Sequence, residues 1–238
     1  MNILDELLAS LTDDAAVRSV QVGAHWTAVC SRQCGLASTL TGDKPHGHAL
    51  VRDVGRLQYK TARELAEYAC SDNLLEASIG AAAINSLLKV DMLRAVELNA
   101  AYVLIREGRG KNVALVGHFP FIPKLRQAVK QLWVLEQHPA EAEYPVEAQP
   151  DLIPQADVVA ITGSTLISHT LDQLLSLPRP NALVMILGPS TPLSPVLFDH
   201  GATFISGARV IDEESVLRTL SQGATFQQIE GVRLFTLA

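Results

Sequence analysis

Three short turns carry most of the polar chemistry in the second half of the sequence. They are Gly117-His118-Phe119-Pro120, Thr162-Gly163-Ser164-Thr165 and Gly188-Pro189-Ser190-Thr191, and each directly follows an apolar run. Ser206-Gly207 is a fourth candidate of the same kind. Glycine lets the backbone bend sharply and present its N–H groups, and Ser or Thr adds a hydroxyl. Placed at the carboxyl ends of parallel strands, such turns line the edge where open α/β sheets bind ligands. Together they predict a polar cleft suited to phosphate, carboxylate or another anion. His118 stands in that edge, and its neutral imidazole can bind a metal or pass a proton near neutral pH, or simply bond backbone within the turn. His169, one helical turn after Thr165, faces either the cleft or solvent.

Glu136 closes the next apolar run, 19 residues after Gly117. Dinucleotide folds place a ribose-binding acid about 20 residues on from their first glycine. The rest of that fingerprint is missing. The first turn has a single glycine instead of G-x-G-x-x-G, Phe119-Pro120 would crowd a pyrophosphate, and no G-x-x-x-x-G-K-[ST] occurs. There is no G-x-S-x-G, no H-E-x-x-H and no Ser-His-Asp order, so Ser164 is not read as a nucleophile and no catalytic residue is assigned. Cys30, Cys34, His46 and His48 offer two soft and two borderline metal ligands, but their spacing matches no standard zinc pattern, and Cys30 in a strand reads as a small core residue.

These residues need elements to position them. Asp157 to Ile161 reads as a buried strand, and Leu166, Ile167, Leu171, Leu174 and Leu175 recur at helical spacing, so 157–175 predicts strand, turn and a helix capped by Ser164 or Thr165. Strands are predicted at 112–116, 132–135, 182–187, 203–206 and 232–237, with helices at 122–130, 195–198 and 212–221. From Lys111 onward strands and helices alternate, which predicts a mostly parallel sheet covered by helices. Residues 138–156, with four prolines, predict a long loop beside or over the site. Before Lys111 the order is a helix at 2–11, strands at 17–22 and 26–30, a third strand or loop at 34–40, a turn region at 41–47, and helices at 61–69, 74–88 and 96–106. Thr61 with Glu64 makes a capping box. Helix 74–88 is apolar almost all round and rich in Gly and Ala; it reads as core, with a contact between copies of the chain the alternative. Asn85 is its odd polar residue and either bonds neighbouring backbone or faces a ligand. The fold class expected is therefore α/β: a small α+β domain over 1–108 and a mostly parallel sheet domain over 109–238.

Composition bounds the partners. The 238 residues are 48% hydrophobic and 18% charged, enough to bury a substantial core. A net charge of −6 argues against a general nucleic-acid or anionic-membrane surface. No run approaches the roughly 18 apolar residues that span a bilayer, and MNILDELLAS has no basic n-region. Three cysteines argue against a disulfide framework, so reduced thiols and a cytoplasmic location are expected.

The stretches VGAHWTAV (22–29), CGLAST (34–39), GAAAIN (80–85), VGHFP (116–120), VLE (134–136), ITGSTLISHTLDQLL (161–175) and GPSTPLSPVLFDHGATFISGARVID (188–212) resemble the putative heavy-metal chelation family. The resemblance implies an N-terminal domain like the small N-terminal domain of enolase, a Rossmann-like C-terminal domain, and a site between them. Carried over, the ligand-facing residues are Asn85, Gly117, His118, Phe119, Glu136, Thr162, Gly163, Ser164, Thr165, Gly188, Pro189, Ser190 and Thr191. The cofactor implied is a transition metal or metal chelate with His118 and Glu136 as ligands or supporting groups; the alternative is an enzyme with a nucleotide-type cofactor on Glu136. The enolase-like part brings no enolase chemistry, since no lysine base or carboxylate trio stands at identifiable spacing.

Overall fold

The structure, a computed structural model, describes residues 2–42 and 50–238. It is a mixed α/β fold with one small antiparallel sheet and one large, mostly parallel sheet. The first helix, α1 (Ile3–Ser10), starts where the Asn2 side chain accepts the Asp5 N–H. β1 (Ser19–Val22), β2 (Trp26–Cys30) and β3 (Cys34–Ser38) then form an antiparallel meander. The ambiguous stretch after Cys34 is thus a strand. In that register Cys30 is directly opposite Cys34, and the two are joined as a disulfide, with Cα atoms 3.9 Å apart. The expectation of reduced thiols fails at this pair, because a count of cysteines carries no information about which ones the hairpin sets face to face. Cys70 is free and exposed.

The predicted capping box forms at α2 (Ala62–Ala66), where Thr61 and Glu64 satisfy each other's backbone N–H, and a 3₁₀ turn continues it over Glu67–Cys70. α3 (Leu74–Leu87) is buried nearly all round. Its small residues serve close packing inside the chain. A Cβ on Gly80 would lie 1.9 Å from the Ala69 nitrogen, and one on Gly35 of β3 would lie 2.2 Å from the Ala82 carbonyl oxygen. The backbones of α3, β3 and the 67–70 turn therefore touch directly. α4 (Ala100–Gly108) begins later than its apolar spacing suggests. Val96 exchanges both backbone hydrogen bonds with Thr236, at 2.9 and 2.8 Å, which holds 96 extended until Asn99 caps the helix.

The large sheet contains β4 (Asn112–Val116), β5 (Gln131–Glu136), β6 (Tyr144–Pro145), β7 (Val158–Thr162), β8 (Leu183–Leu187), β9 (Phe204–Val210) and β10 (Val232–Leu237), in the order β10-β9-β8-β7-β4-β5-β6. All neighbours are parallel except β10, which runs antiparallel to β9. The chain winds from β4 outward to β6, returns to β7 on the other side of β4, and winds outward again, so the strand order reverses between β4 and β7 as in doubly wound sheets. The strands are apolar on both faces because both faces are covered. α5 (Ile122–Ala128) and α4 cover one face, where Val113, Leu115, Val158, Ala160, Met185 and Leu187 pack. The other face shares one continuous buried cluster with α1, α2 and α3.

Two local readings change. Residues 138–156 are a chain of short pieces rather than one irregular loop: β6, a 3₁₀ turn at Val146–Ala148, α6 (Gln149–Leu152) and a second 3₁₀ turn at Ile153–Gln155. Prolines sit within the first two positions of α6 and of the second turn, where a missing N–H costs nothing. The helix expected after β7 is broken into a 3₁₀ turn, Gly163–Leu166, and α7 (Leu171–Leu175). His169 has φ +57° at the break, and its Nε2–H donates to the Ala69 carbonyl at 2.7 Å. That long-range bond holds the left-handed turn, and the helical spacing of the leucines does not reveal it. After β8, α8 (Val196–Asp199) and α9 (Glu213–Ser221, capped by Asp212) follow the expected positions.

Candidate functional site

The carboxyl ends of β4, β5, β7 and β8 lie along one edge of the large sheet, and each is punctuated as its sequence predicts. Gly117 and Gly188 follow β4 and β8 with φ +110° and +111°, values that favour glycine. Gly163 is required for space: a Cβ there would come within 2.4 to 2.7 Å of Thr191 Oγ1, N and Cα. Instead of one cleft the edge carries two, which share no lining residue.

The first cleft, about 550 Å³, opens at the reversal between β4 and β7. Gly117, Glu136, Thr162, Ser164 and Thr165 line it, joined by Gln137, Glu147, Gln149, Ser168, Thr170 and Gln173, and by Leu40 from the N-terminal part of the chain. Among the described residues its lining holds two carboxylates, five hydroxyls and three amides, and no Lys, Arg or His. Thr162 Oγ1 and Ser164 Oγ share a hydrogen bond at 3.0 Å, and Thr165 Oγ1 donates to the Thr162 carbonyl at 2.6 Å. Glu136 Oε2 accepts the Gln137 N–H at 3.1 Å. Among the described residues the two acids would repel the anion suggested by the turns, and the element that follows β7 at the cleft is a four-residue 3₁₀ turn.

The second cleft, about 620 Å³, lies beyond the Gly117–Phe119 turn, over the β8–β9 end of the sheet. Phe119, Gly188 and Pro189 line it.

The remaining candidates line neither large cleft. His118 is exposed, and its Nδ1 pairs with Glu143 Oε1 at 2.9 Å. Glu143 is itself fixed by the Ala140 N–H at 3.0 Å. Glu143 and Glu147 both fall in the proline-rich stretch whose proximity to the site was expected but whose individual acids were not singled out. Glu136 is not the partner of His118. Among the described residues no three His, Cys, Asp or Glu side chains gather as a metal-holding group. His46 and His48 lie outside the described residues. Asn85 spends both amide hydrogens on backbone carbonyls, those of Leu36 at 2.9 Å and Ser190 at 3.2 Å. Ser190 Oγ accepts the Ser38 N–H at 2.8 Å, and the two serine hydroxyls share a hydrogen bond at 2.9 Å. Thr191 is buried against Gly163. Asn85 and Ser190 thus tie the β8 turn to α3 and β3, and Thr191 packs it against the β7 turn.

Comparison with known proteins agrees with this architecture. Residues 4–88 match the family model DUF4213 and residues 99–238 match DUF364, both described as putative heavy-metal chelation. An uncharacterized protein of Methanocaldococcus jannaschii is 28% identical over 204 residues, spanning 83% of this chain and 78% of that protein. A crystal structure of a DUF364 protein of unknown function from Desulfitobacterium hafniense superposes with a TM-score of 0.85 at 30% identity, covering 99% of this chain and 96% of that one. A second DUF364 protein of unknown function, from Pyrococcus horikoshii, shares the fold with a TM-score of 0.81 at 21% identity, over 99% and 97% of the two chains. With DUF364 covering more than half of its residues and a solved relative matching nearly end to end, the chain belongs to the DUF364 family, described as putative heavy-metal chelation.

Proposed function

We propose that the chain binds a small hydroxyl- or amine-bearing ligand of neutral or positive charge, a metal chelate in the terms of its family's description, in the cleft between β4 and β7. The observation that carries this reading is the lining of that 550 Å³ cleft, where the described residues supply Glu136, Glu147 and five hydroxyls and no basic group. The volume falls within the roughly 300–1,000 Å³ typical of small-molecule sites, at the position where doubly wound sheets bind ligands. A bare transition metal needs about four convergent protein donors. The described residues supply no such group, so they suit outer contacts to a chelate whose own atoms hold the ion. Glu136 accepts hydrogen bonds from the chelate and balances its charge, Thr162, Ser164 and Thr165 contribute hydroxyls, and the His118–Glu143 pair stands one residue beyond Gly117, outside the cleft lining.

A second reading has one specific support. Glu136 ends the second strand of a doubly wound order, where a ribose hydroxyl is held in dinucleotide folds. The acidic lining among the described residues favours a nucleoside-like portion without phosphates.

Titration calorimetry with tris(ethylenediamine)cobalt(III), an inert cationic chelate, and with adenosine tests both, alongside elemental analysis of the protein purified without chelators. Saturable 1:1 binding of the cobalt chelate is expected, weakened in Glu136→Gln by about tenfold to a hundredfold, the loss of one charge-assisted hydrogen bond worth about 1.5–3 kcal/mol. Adenosine binding that depends on Glu136, without chelate binding, would move the assignment to the second reading. No binding of either, with no copurified metal, would refute both.

A further inference from the structure

The second cleft differs from the first in chemistry as well as position. Its walls are mostly rings and aliphatic groups, among them Tyr102 from α4, Phe119 and Phe121 from the turn after β4, and Phe226 from the last 3₁₀ turn, with Asn99, Ser206 and Gln227 as the neutral polar members. Phe119 and Phe121 are stacked, with centroids 5.1 Å apart and planes at 22°. Tyr102 is 73% exposed although it is a large aromatic, and its ring borders the opening. The charged lining residue is Lys124, in the first turn of α5, and among the described residues it has no carboxylate partner. In a chain of net charge −6, the described residues that line this cleft include no Asp or Glu.

We infer that this cleft is a second, separate ligand site, and that it takes a planar aromatic anion: a fused or substituted ring that lies against Phe119, Phe121 and Tyr102 and points a carboxylate or similar acid at Lys124. The volume of about 620 Å³ accommodates a two-ring ligand. Aromatic side chains prefer offset-stacked or tilted contact with another ring, which selects flat ligands over aliphatic chains. An unpaired ammonium beside apolar walls attracts an anion more strongly than it would in open water, because the walls lower the local dielectric. Gly188, at a positive φ that favours glycine, puts no side chain into the cleft, and a Cβ there would lie 3.8 Å from the Phe119 ring. The same Gly117–Phe119 turn separates the two clefts, so the acidic cleft and the basic, aromatic one lie on opposite sides of one wall and share no residue.

The test is titration calorimetry of the whole chain with 2-naphthoate and with its neutral analogue 2-naphthalenemethanol. The variants are Lys124→Glu, Tyr102→Ala and, as a control in the other cleft, Glu136→Gln. Lys124 and Tyr102 are exposed, so both substitutions should leave the fold intact, as circular dichroism will show. Expected are 1:1 binding of naphthoate, a loss of at least tenfold in Lys124→Glu and in Tyr102→Ala, and no change in Glu136→Gln. The neutral analogue should bind more weakly than naphthoate and be indifferent to Lys124→Glu. Undetectable naphthoate binding, equal affinity in wild type and Lys124→Glu, or a neutral analogue that binds as tightly as the acid would each overturn the inference. So would sedimentation showing a dimer that Tyr102→Ala converts to monomer without any naphthoate binding, which would assign the face to a second copy of the chain. Because the Glu136 control belongs to the first cleft, failure here leaves the chelate reading standing, and failure there leaves this one.

Discussion

Replacing Asn85 separates a structural tie from a ligand contact. Its two N–H donors reach the carbonyls of Leu36 and Ser190, residues that are 3% and 2% exposed. Asn85→Ala leaves both acceptors in place with no donor. Each unsatisfied buried carbonyl costs about 1–3 kcal/mol, and a cavity of about 10 Å³ beside Asn85 would, once enlarged, admit a water that recovers part of the loss. The expected destabilisation is about 2–4 kcal/mol, two such penalties less that recovery. For a chain of this size that is a fall in Tm of about 4–16 °C, by scanning calorimetry at pH 7. Asn85→Asp should be worse at pH 7, because a carboxylate would face two carbonyl oxygens and donate to neither. The pKa of the introduced carboxyl must therefore be higher in the folded protein than in the unfolded chain, so the Asn85→Asp variant should recover stability as the pH falls below that raised value. A Tm within about 2 °C of wild type for Asn85→Ala, together with weakened ligand binding in the first cleft, would refute the structural role and make Asn85 a ligand contact.

Other outcomes follow from the same geometry. Thr191 is 1% exposed and its hydroxyl has no hydrogen-bond partner among the described residues, so Thr191→Val should raise stability by about 1 kcal/mol in urea unfolding; a loss of that size would mean the hydroxyl is satisfied. Gly163→Ala, whose new methyl would meet Thr191 backbone, should cost about 1–3 kcal/mol by the same measurement, and a neutral result would show that the β7 and β8 turns are not in contact. Burial of the Glu76 carboxyl works to raise its pKa, but hydrogen bonds from the Arg52 side chain and backbone and from Ser71 outweigh it and hold it below the usual carboxylate range. A depressed carboxylate stabilises the fold above its unfolded pKa of about 4.3 and loses that contribution as pH falls through the lower folded value. Glu76→Gln should therefore lower Tm at pH 7 and flatten its decline between about pH 5 and 3, and parallel acid curves for the two proteins would exclude this role.

Much of the molecule is determined by local chemistry that the sequence displays. The apolar runs at 112–116, 157–161 and 182–187 read as strands covered on both faces, and their alternation with helices predicts a mostly parallel sheet, which the structure contains. The Thr61–Glu64 box, the Asp212 cap and the Gly-Ser/Thr turns are likewise set by residues a few positions apart, so the edge carrying the candidate site is legible along with the acid at Glu136. Tertiary structure decided what depends on partners far away in the chain. The helix after β7 breaks at His169 because Ala69, one hundred residues earlier, takes its ring N–H. α4 starts late because Thr236 claims Val96. Cys30 and Cys34 are bonded because hairpin register makes them opposite. The division of one expected polar edge into an acidic cleft and an aromatic, basic one is of the same kind. Spacing places Gly117, Phe119, Thr162 and Gly188 on one edge, but which side of the Gly117–Phe119 wall each residue faces depends on packing between strands and helices. No local pattern encodes that packing.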